Sequence, residues 1–334
     1  MAVKRDSSID FLKIISMAAV LFLHTQRNAE EGVVFNYVLY YGARFAMPVF
    51  FMVNGMLIMN RKEFTFDYYK KKILNIIRIT AIWGGISVIL SLLFDRSGIK
   101  RAVVNGIKCL WGGYAVPFWF LVTLGIIYTI LLFCFPIVKK KLNLILIVLG
   151  SICVVINLVS LINIFAFDGF YIQEPVNQRI RLWSWGFYFL LGYRLKDTTF
   201  SDKQKKYLPI MTTIVTVVAI VYQYLIFVVK LNKINSSFCY ESPLIMLWAA
   251  MIFLTVRNSN WIRNTDKGSV IQKLSIYSFG IFLLHGYFLR YLNLVKTDHN
   301  AISAFGVWLG LYSVCLVITI ILSRIPYLNK IMKY

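Results

Sequence analysis

Charge is what this sequence has little of. Only 15% of its 334 residues are charged, against about a quarter in soluble domains, and its acids number only 14. Hydrophobic residues make up 59% and mean hydropathy is +0.70, so a soluble domain is excluded and a polytopic all-α membrane protein is expected. The five cysteines are scattered: Cys134, Cys153 and Cys315 fall inside apolar runs, Cys109 and Cys239 in loops. With no CxxC pair, neither a disulfide framework nor thiol redox chemistry is indicated. The three histidines and these cysteines have no ligand spacing, so no metal site is expected. No nucleophile motif of serine or cysteine hydrolases occurs either. No linker, low-complexity tract or internal repeat divides the chain. A single domain over residues 1–334 follows, and an inverted-repeat transporter loses support. No small-residue cleavage site follows the first apolar run, which is therefore expected to be a span rather than a cleaved signal.

What is there in quantity is apolar length. Ten stretches are long enough to span, at about 9–27, 37–59, 74–94, 116–136, 142–162, 180–196, 208–229, 243–258, 274–292 and 303–323. The net charge of +22 sits mostly in the short loops between them. That placement reads as topology and attraction to anionic head groups, not as nucleic-acid binding. Alternate loops, with Lys4, Arg5 and the tail RIPYLNKIMKY, hold 23 of the 36 lysines and arginines, counting Arg78 just inside the third span. The positive-inside rule then puts both termini in the cytoplasm. Tyr37, Tyr40, Tyr41, Trp111, Tyr114 and Trp119 lie where spans meet head groups. The loops of about 96–115 and 163–179 are the longest outside, and they carry Arg96, Lys100, Arg101, Lys108, Arg179, Arg181, Trp111 and Trp183. Basic and aromatic residues together suit an acidic or carbohydrate partner; loops resting on head groups are the plainer reading.

The first span, IDFLKIISMAAVLFLHTQR, has a lysine and a histidine set into it. Lys13 and His24 are eleven residues apart, about three helical turns, so both leave one face, roughly 16 Å apart along it. Ionisable groups in a span face protein or water rather than lipid, so this face is expected to line a cavity. With the first and ninth spans both running outward, His24 lies about 22 Å and His285 about 16 Å into a core of roughly 30 Å. Arg44, at the outer end of the second span, overlaps them in depth. Lys13 and the cluster Lys70, Lys71, Lys72 and Arg78 lie near the cytoplasmic face. The pattern is a cationic inner mouth leading to an imidazole site further out.

Five segments, in order, resemble the acyltransferase 3 family of integral-membrane acyltransferases, over essentially the whole chain. IDFLKIISMAAVLFLH resembles its first helix, with Lys13 where an arginine is usual. RFAMPVFFMVNGMLI resembles its proline–phenylalanine–serine–glycine stretch, with Asn54 in place of serine. VPFWFLVTLGIIYTI resembles its tryptophan-centred helix start at Trp119. WSWGFYFLLGYRL and LSIYSFGIFLLHGYF, with Tyr277 and His285, resemble later helices. The family's arginine pair after the second span is replaced here by Lys72 and Asn75, with Arg78 one turn later.

The resemblance implies a bacterial inner-membrane enzyme that takes an acyl group, usually acetyl, from cytoplasmic acyl-CoA. The acceptor it implies is a hydroxyl of a surface or capsular polysaccharide, or of its lipid-linked precursor. Acyl-CoA is a substrate in this reading, and no bound cofactor is expected; a homo-oligomer is open. Lys71, Lys72 and Arg78 are the expected binders of the CoA phosphates. His24 is the expected general base, since imidazole titrates near working pH, and an acyl-histidine relay is the other route. Asp10, three residues before Lys13, pairs with it on the same helix. Arg44 and Asn54 are candidate oxyanion donors, with Trp119, Tyr277 and His285 as supports. Each has a plainer reading: a histidine bonded between helices, a snorkelling Arg44, lysines that only set topology, and Trp119, Tyr277 and Asn54 as packing residues. The alternative functions are a transporter or glycan exporter with His24 and Lys13 on its path, and a non-enzymatic sensing module.

Overall fold

The computed structural model describes residues 6–25, 34–96, 98–111, 118–233, 238–263, 270–292 and 301–332. Lys4, Arg5, Tyr114 and His299 lie outside them. Of the described residues 84% are helical and none is in a strand, so the chain is an all-α polytopic membrane protein. The helices are α1 Ser7–Thr25, α2 Val34–Gly42, α3 Ala46–Met59, α4 Phe66–Phe94, α5 Ile99–Trp111, α6 Trp119–Lys140 and α7 Leu142–Ala166. After a short 3-10 turn at Gln178–Ile180 come α8 Leu182–Leu195, α9 Asp202–Gln223, α10 Pro243–Asn258, α11 Asn260–Arg263, α12 Val270–Tyr291, α13 Ala301–Arg324 and α14 Pro326–Asn329.

Each of the ten expected spans overlaps helix, and among the described residues seven segments are both long and apolar enough to cross a membrane by themselves. The exceptions are α8, α10 and α12. At 1.5 Å per residue the 14 residues of α8 and the 16 of α10 reach about 21 and 24 Å, short of the hydrocarbon core. Both bury large side chains in the bundle, Trp185 and Tyr188 from α8, Trp248 and Phe253 from α10, and protein takes the place of lipid around them. The outer ring is formed by α7, α9 and α13, few of whose apolar residues are fully buried, while α1 and α3 are largely buried.

Three local features depart from the sequence reading. The second span is two helices, broken at Ala43–Phe45, and the break sets the buried Arg44 at a helix junction. The segment after α4 is not a loop around Cys109 but α5. Ala102, Asn105, Gly106 and Cys109, spaced at i, i+3, i+4 and i+7, are its buried face. That face packs antiparallel on α4, where Asn105 donates to Ser91 at 2.8 Å and Cys109 sits 3.1 Å from Ser87. The hydropathy window misses α5 because Lys100, Arg101 and Lys108 recur among its apolar residues. The end of α9 continues as a π-helical turn, Tyr224–Lys230, which lengthens the span to residue 230.

Helix association inside a bilayer gains little from hydrophobicity, so small residues that admit close backbones matter. Gly55 of α3 rests against the Phe189 carbonyl, and Gly192 of α8 against the Met52 backbone; a Cβ at either position has no room. The helices that carry the site are α1 and α12. They run parallel: Gln272 donates to Ser7 at 3.2 Å, and Ser275 donates to Asp10 at 2.6 Å near their starts. Further along, His24 faces His285. Against both helices runs α13, antiparallel to α1, whose Trp308 indole donates to the Ala18 carbonyl at 2.9 Å.

Candidate functional site

The site is built on the seam between α1 and α12. On α12 an apolar helix is interrupted at every third position by the buried Gln272, Ser275 and Ser278, and Ser278, two turns before His285, shares its face. On α1 the matching face carries Asp10, Lys13 and His24. The rings of His24 and His285 lie 5.2 Å apart, centroid to centroid, inclined by 40°. His24 is half-buried, whereas His285 is wholly buried. The Nδ1 of His285 is 2.6 Å from the Phe282 carbonyl oxygen. Its Nε2, and the hydroxyl oxygens of Ser16 and Ser278, are buried with no hydrogen-bond partner among the described residues. Polar atoms in this condition are uncommon in protein interiors, and three fall on one helix pair.

Near the start of the seam, Asp10 is buried and accepts from Ser275. Lys13 is half-buried, and its surroundings are more cationic than Asp10 alone would make them. Lys72 of α4 lies within electrostatic range of Lys13, Arg61 and Lys71. The Lys72 ammonium also sits 5.9 Å from the Tyr68 ring centroid, with the Arg61 guanidinium 3.8 Å above the same ring. Lys71 is exposed. Arg78 is turned elsewhere: it bonds the Asn75 side chain and donates to the Lys330 carbonyl at 3.0 Å, tying α4 to the C-terminal segment. Lys13, Arg61, Lys71 and Lys72 therefore form one cationic cluster, and Arg78 holds the C-terminal segment instead.

Arg44, for which snorkelling was the plainer reading, is buried. Its guanidinium lies 4.5 Å from the Tyr40 ring centroid, donates to the Tyr40 hydroxyl and bonds Tyr240. Tyr240 in turn packs on Trp185 with ring centroids 5.1 Å apart, and Trp185 stacks on Phe51 at 4.7 Å and lies tilted against Trp119 at 5.3 Å. Arg44 and Trp119 thus belong to one aromatic cluster. Asn54 donates to the Phe50 carbonyl at 2.8 Å, one turn back on α3. Tyr277 is half-buried on α12, eight residues from His285 and so about 12 Å along the helix.

Sequence reasoning missed a second buried polar group. Glu241, just before α10, is wholly buried. Its carboxylate accepts from Ser184 Oγ at 2.6 Å, from Trp183 Nε1 at 3.2 Å and from Gln173 Nε2 at 3.2 Å. Arg181, also buried, donates to the Gln173 and Val176 carbonyls at 2.9 and 3.0 Å and covers the Phe238 ring. This network folds the expected basic and aromatic loop of 163–179 inward, so Trp183 and Arg181 are engaged by the protein itself. One signal was available: an acid followed by Ser242 and Pro243, a helix-start pattern, directly before an apolar helix.

A family model described as an acyltransferase domain matches residues 6–324. No curated protein and no solved structure matches the chain.

Proposed function

Since the chain belongs to the acyltransferase 3 family and is a membrane acyltransferase-type protein, we propose that it moves an acetyl group from cytoplasmic acetyl-CoA to a hydroxyl of a surface or capsular glycan, or of its lipid-linked precursor, in the bacterial inner membrane. The observation that carries this reading is the His24–His285 pair, set on the same helix seam as Lys13, which shares its electrostatic surroundings with Lys72. A transferase that draws its donor from one side of the membrane needs such a layout. Cationic groups hold the nucleotide phosphates, and a base stands deeper, where the thioester on its long arm arrives. Lys72 and Lys13 bind phosphate as point charges, in the place of an arginine fork.

His24 acts as general base. In its neutral form it takes the hydroxyl proton as the sugar oxygen attacks the thioester carbonyl carbon, and the carbon–sulfur bond then breaks. The same proton passes from His24 to the departing thiolate, so free CoA leaves as the thiol and the enzyme returns unchanged. Ten spans with both termini in the cytoplasm are the topology that goes with this reading.

Mass spectrometry of surface glycans from cells carrying the wild type or His24→Ala tests it. The variant should insert and fold yet leave the glycan unacetylated. Normal acetylation by His24→Ala removes the assignment, and substrate uptake into proteoliposomes without any acyl transfer removes the enzyme reading altogether.

A further inference from the structure

Resting on the reading of His24 as base, we propose that His285 is a positioning residue: its Nε2 accepts the N–H of the His24 ring and so decides which nitrogen of His24 does the chemistry. The argument starts at the other nitrogen. His285 Nδ1 is 2.6 Å from the Phe282 carbonyl oxygen, and a carbonyl can only accept, so Nδ1 carries the hydrogen. A neutral ring protonated there has its lone pair at Nε2. That atom is buried in a wholly buried side chain and meets no hydrogen-bond partner among the described residues. The ring beside it is that of His24, at 5.2 Å. Two imidazoles joined by one N–H···N bond of ordinary length have centroids about 5 Å apart, so the observed ring separation suits such a bond.

The consequence for His24 is a single tautomer. Its N–H points at His285, and its lone pair sits on the nitrogen turned away from that ring. In serine hydrolases a carboxylate performs this service for the catalytic histidine. A neutral acceptor stabilises an imidazolium less than a carboxylate does, so the contribution of His285 is chiefly orientation. The hydrogen shared between the rings is not transferred. The proton that moves comes from the acceptor hydroxyl, enters at the outward nitrogen of His24 and leaves with the CoA sulfur. Phe282 belongs to the device as well: its carbonyl sets the His285 tautomer, and its ring packs 5.8 Å from the His285 ring.

The test is nitrogen NMR of the full-length protein, labelled at histidine and reconstituted in bilayers, together with kinetics on acetyl-CoA. In the native protein His285 should be protonated at Nδ1 alone, and His24 should show one tautomer. In His285→Phe, His24 should become a mixture of tautomers. Turnover should fall about 100-fold with KM for acetyl-CoA unchanged. His285→Gln, whose amide oxygen can reach the Nε2 position, should restore turnover to within about 10-fold of wild type. A native His24 already mixed between tautomers overturns the proposal, and this measurement does not depend on any variant folding. So does His285→Phe with wild-type turnover while His24→Ala is inactive. An active His24→Ala, by contrast, removes the base assignment and leaves the tautomer of His285 standing.

Discussion

Ser275 donates its hydroxyl hydrogen to the buried Asp10 carboxylate at 2.6 Å, and this bond sets the register of α12 against α1. Everything further along the two parallel helices inherits that register, including the approach of His285 to His24. Removing the donor leaves a buried acceptor short of a partner. Polar pairs between membrane helices contribute on the order of 1 kcal/mol. Ser275→Ala should lower the thermal midpoint of the purified protein by a few degrees and cut acetyl transfer several-fold, with glycan acetylation as the readout. Unchanged stability together with unchanged activity would mean that the register is held elsewhere.

Lys13 and Lys72 come from different helices and share one field. If charge at that depth is what binds the donor, Lys13→Arg should keep activity and Lys13→Met should lose most of it. Lys72→Gln should raise KM for acetyl-CoA by about 10-fold, the effect of roughly 1.4 kcal/mol of lost attraction, with kcat little changed. The loss should shrink at high salt, because screening already weakens the wild type there. A Lys72→Gln enzyme with wild-type KM would move donor binding away from this mouth.

Much of this neighbourhood is legible in the sequence because bilayers make ionisable residues conspicuous. Lys13, His24 and His285 stand out of apolar runs, and helical spacing places the first two on one face. The parallel direction of the two spans puts His24 and His285 at overlapping depths. What is not legible is set by partners far away in the chain. Ser275 reads as an ordinary small residue until Asp10 meets it. Glu241 reads as a solvated loop acid, because Gln173, Trp183 and Ser184, which surround it, lie 57 to 68 residues earlier. The face of α5 that packs on α4 is hidden in the sequence by the charges on its other faces, and the break at Ala43–Phe45, marked only by Arg44, does not end the apolar run around it.

Glu241 carries a stability prediction. Three donors converge on its two oxygens, and a glutamine in its place keeps the shape but turns an NH2 group towards at least one of them. Breaking a buried charged network typically costs about 3–5 kcal/mol, a large part of a total stability of about 5–15 kcal/mol. Glu241→Gln should therefore accumulate poorly and melt well below wild type. Trp183→Phe, which removes one donor, should cost only about 1 kcal/mol. Glu174→Gln, whose ion pair with the half-exposed Lys233 lies at the surface, should be close to neutral. Equal melting of all three would mean that the buried network does not hold this end of the bundle.

The start of α1 has a pH dependence whose sign can be worked out. Asp6 accepts from the Ser8 backbone N–H at 3.0 Å, a helix-capping bond, and pairs with Arg257, which also donates to Ser8 Oγ at 2.7 Å and to the Lys196 carbonyl at 3.0 Å. Burial by itself would raise the Asp6 pKa, but the bonds from Ser8 and Arg257 and the Arg257 charge outweigh it, so the folded value lies below the ordinary 3.8. A depressed carboxylate pKa adds stability above the unfolded value, and that stability is lost as pH falls through the folded value. The contribution should therefore be constant from neutral pH down to about 4 and disappear below it. Asp6 is 36% exposed, so solvent screening holds the pair to less than about 1 kcal/mol. Asp6→Asn should melt slightly below wild type at pH 7, and the two melting points should converge as the pH is taken below 3.8. A gap that widens instead would mean that Asp6 is held protonated in the folded protein, and that Arg257 is fixed by Ser8 and Lys196 without it.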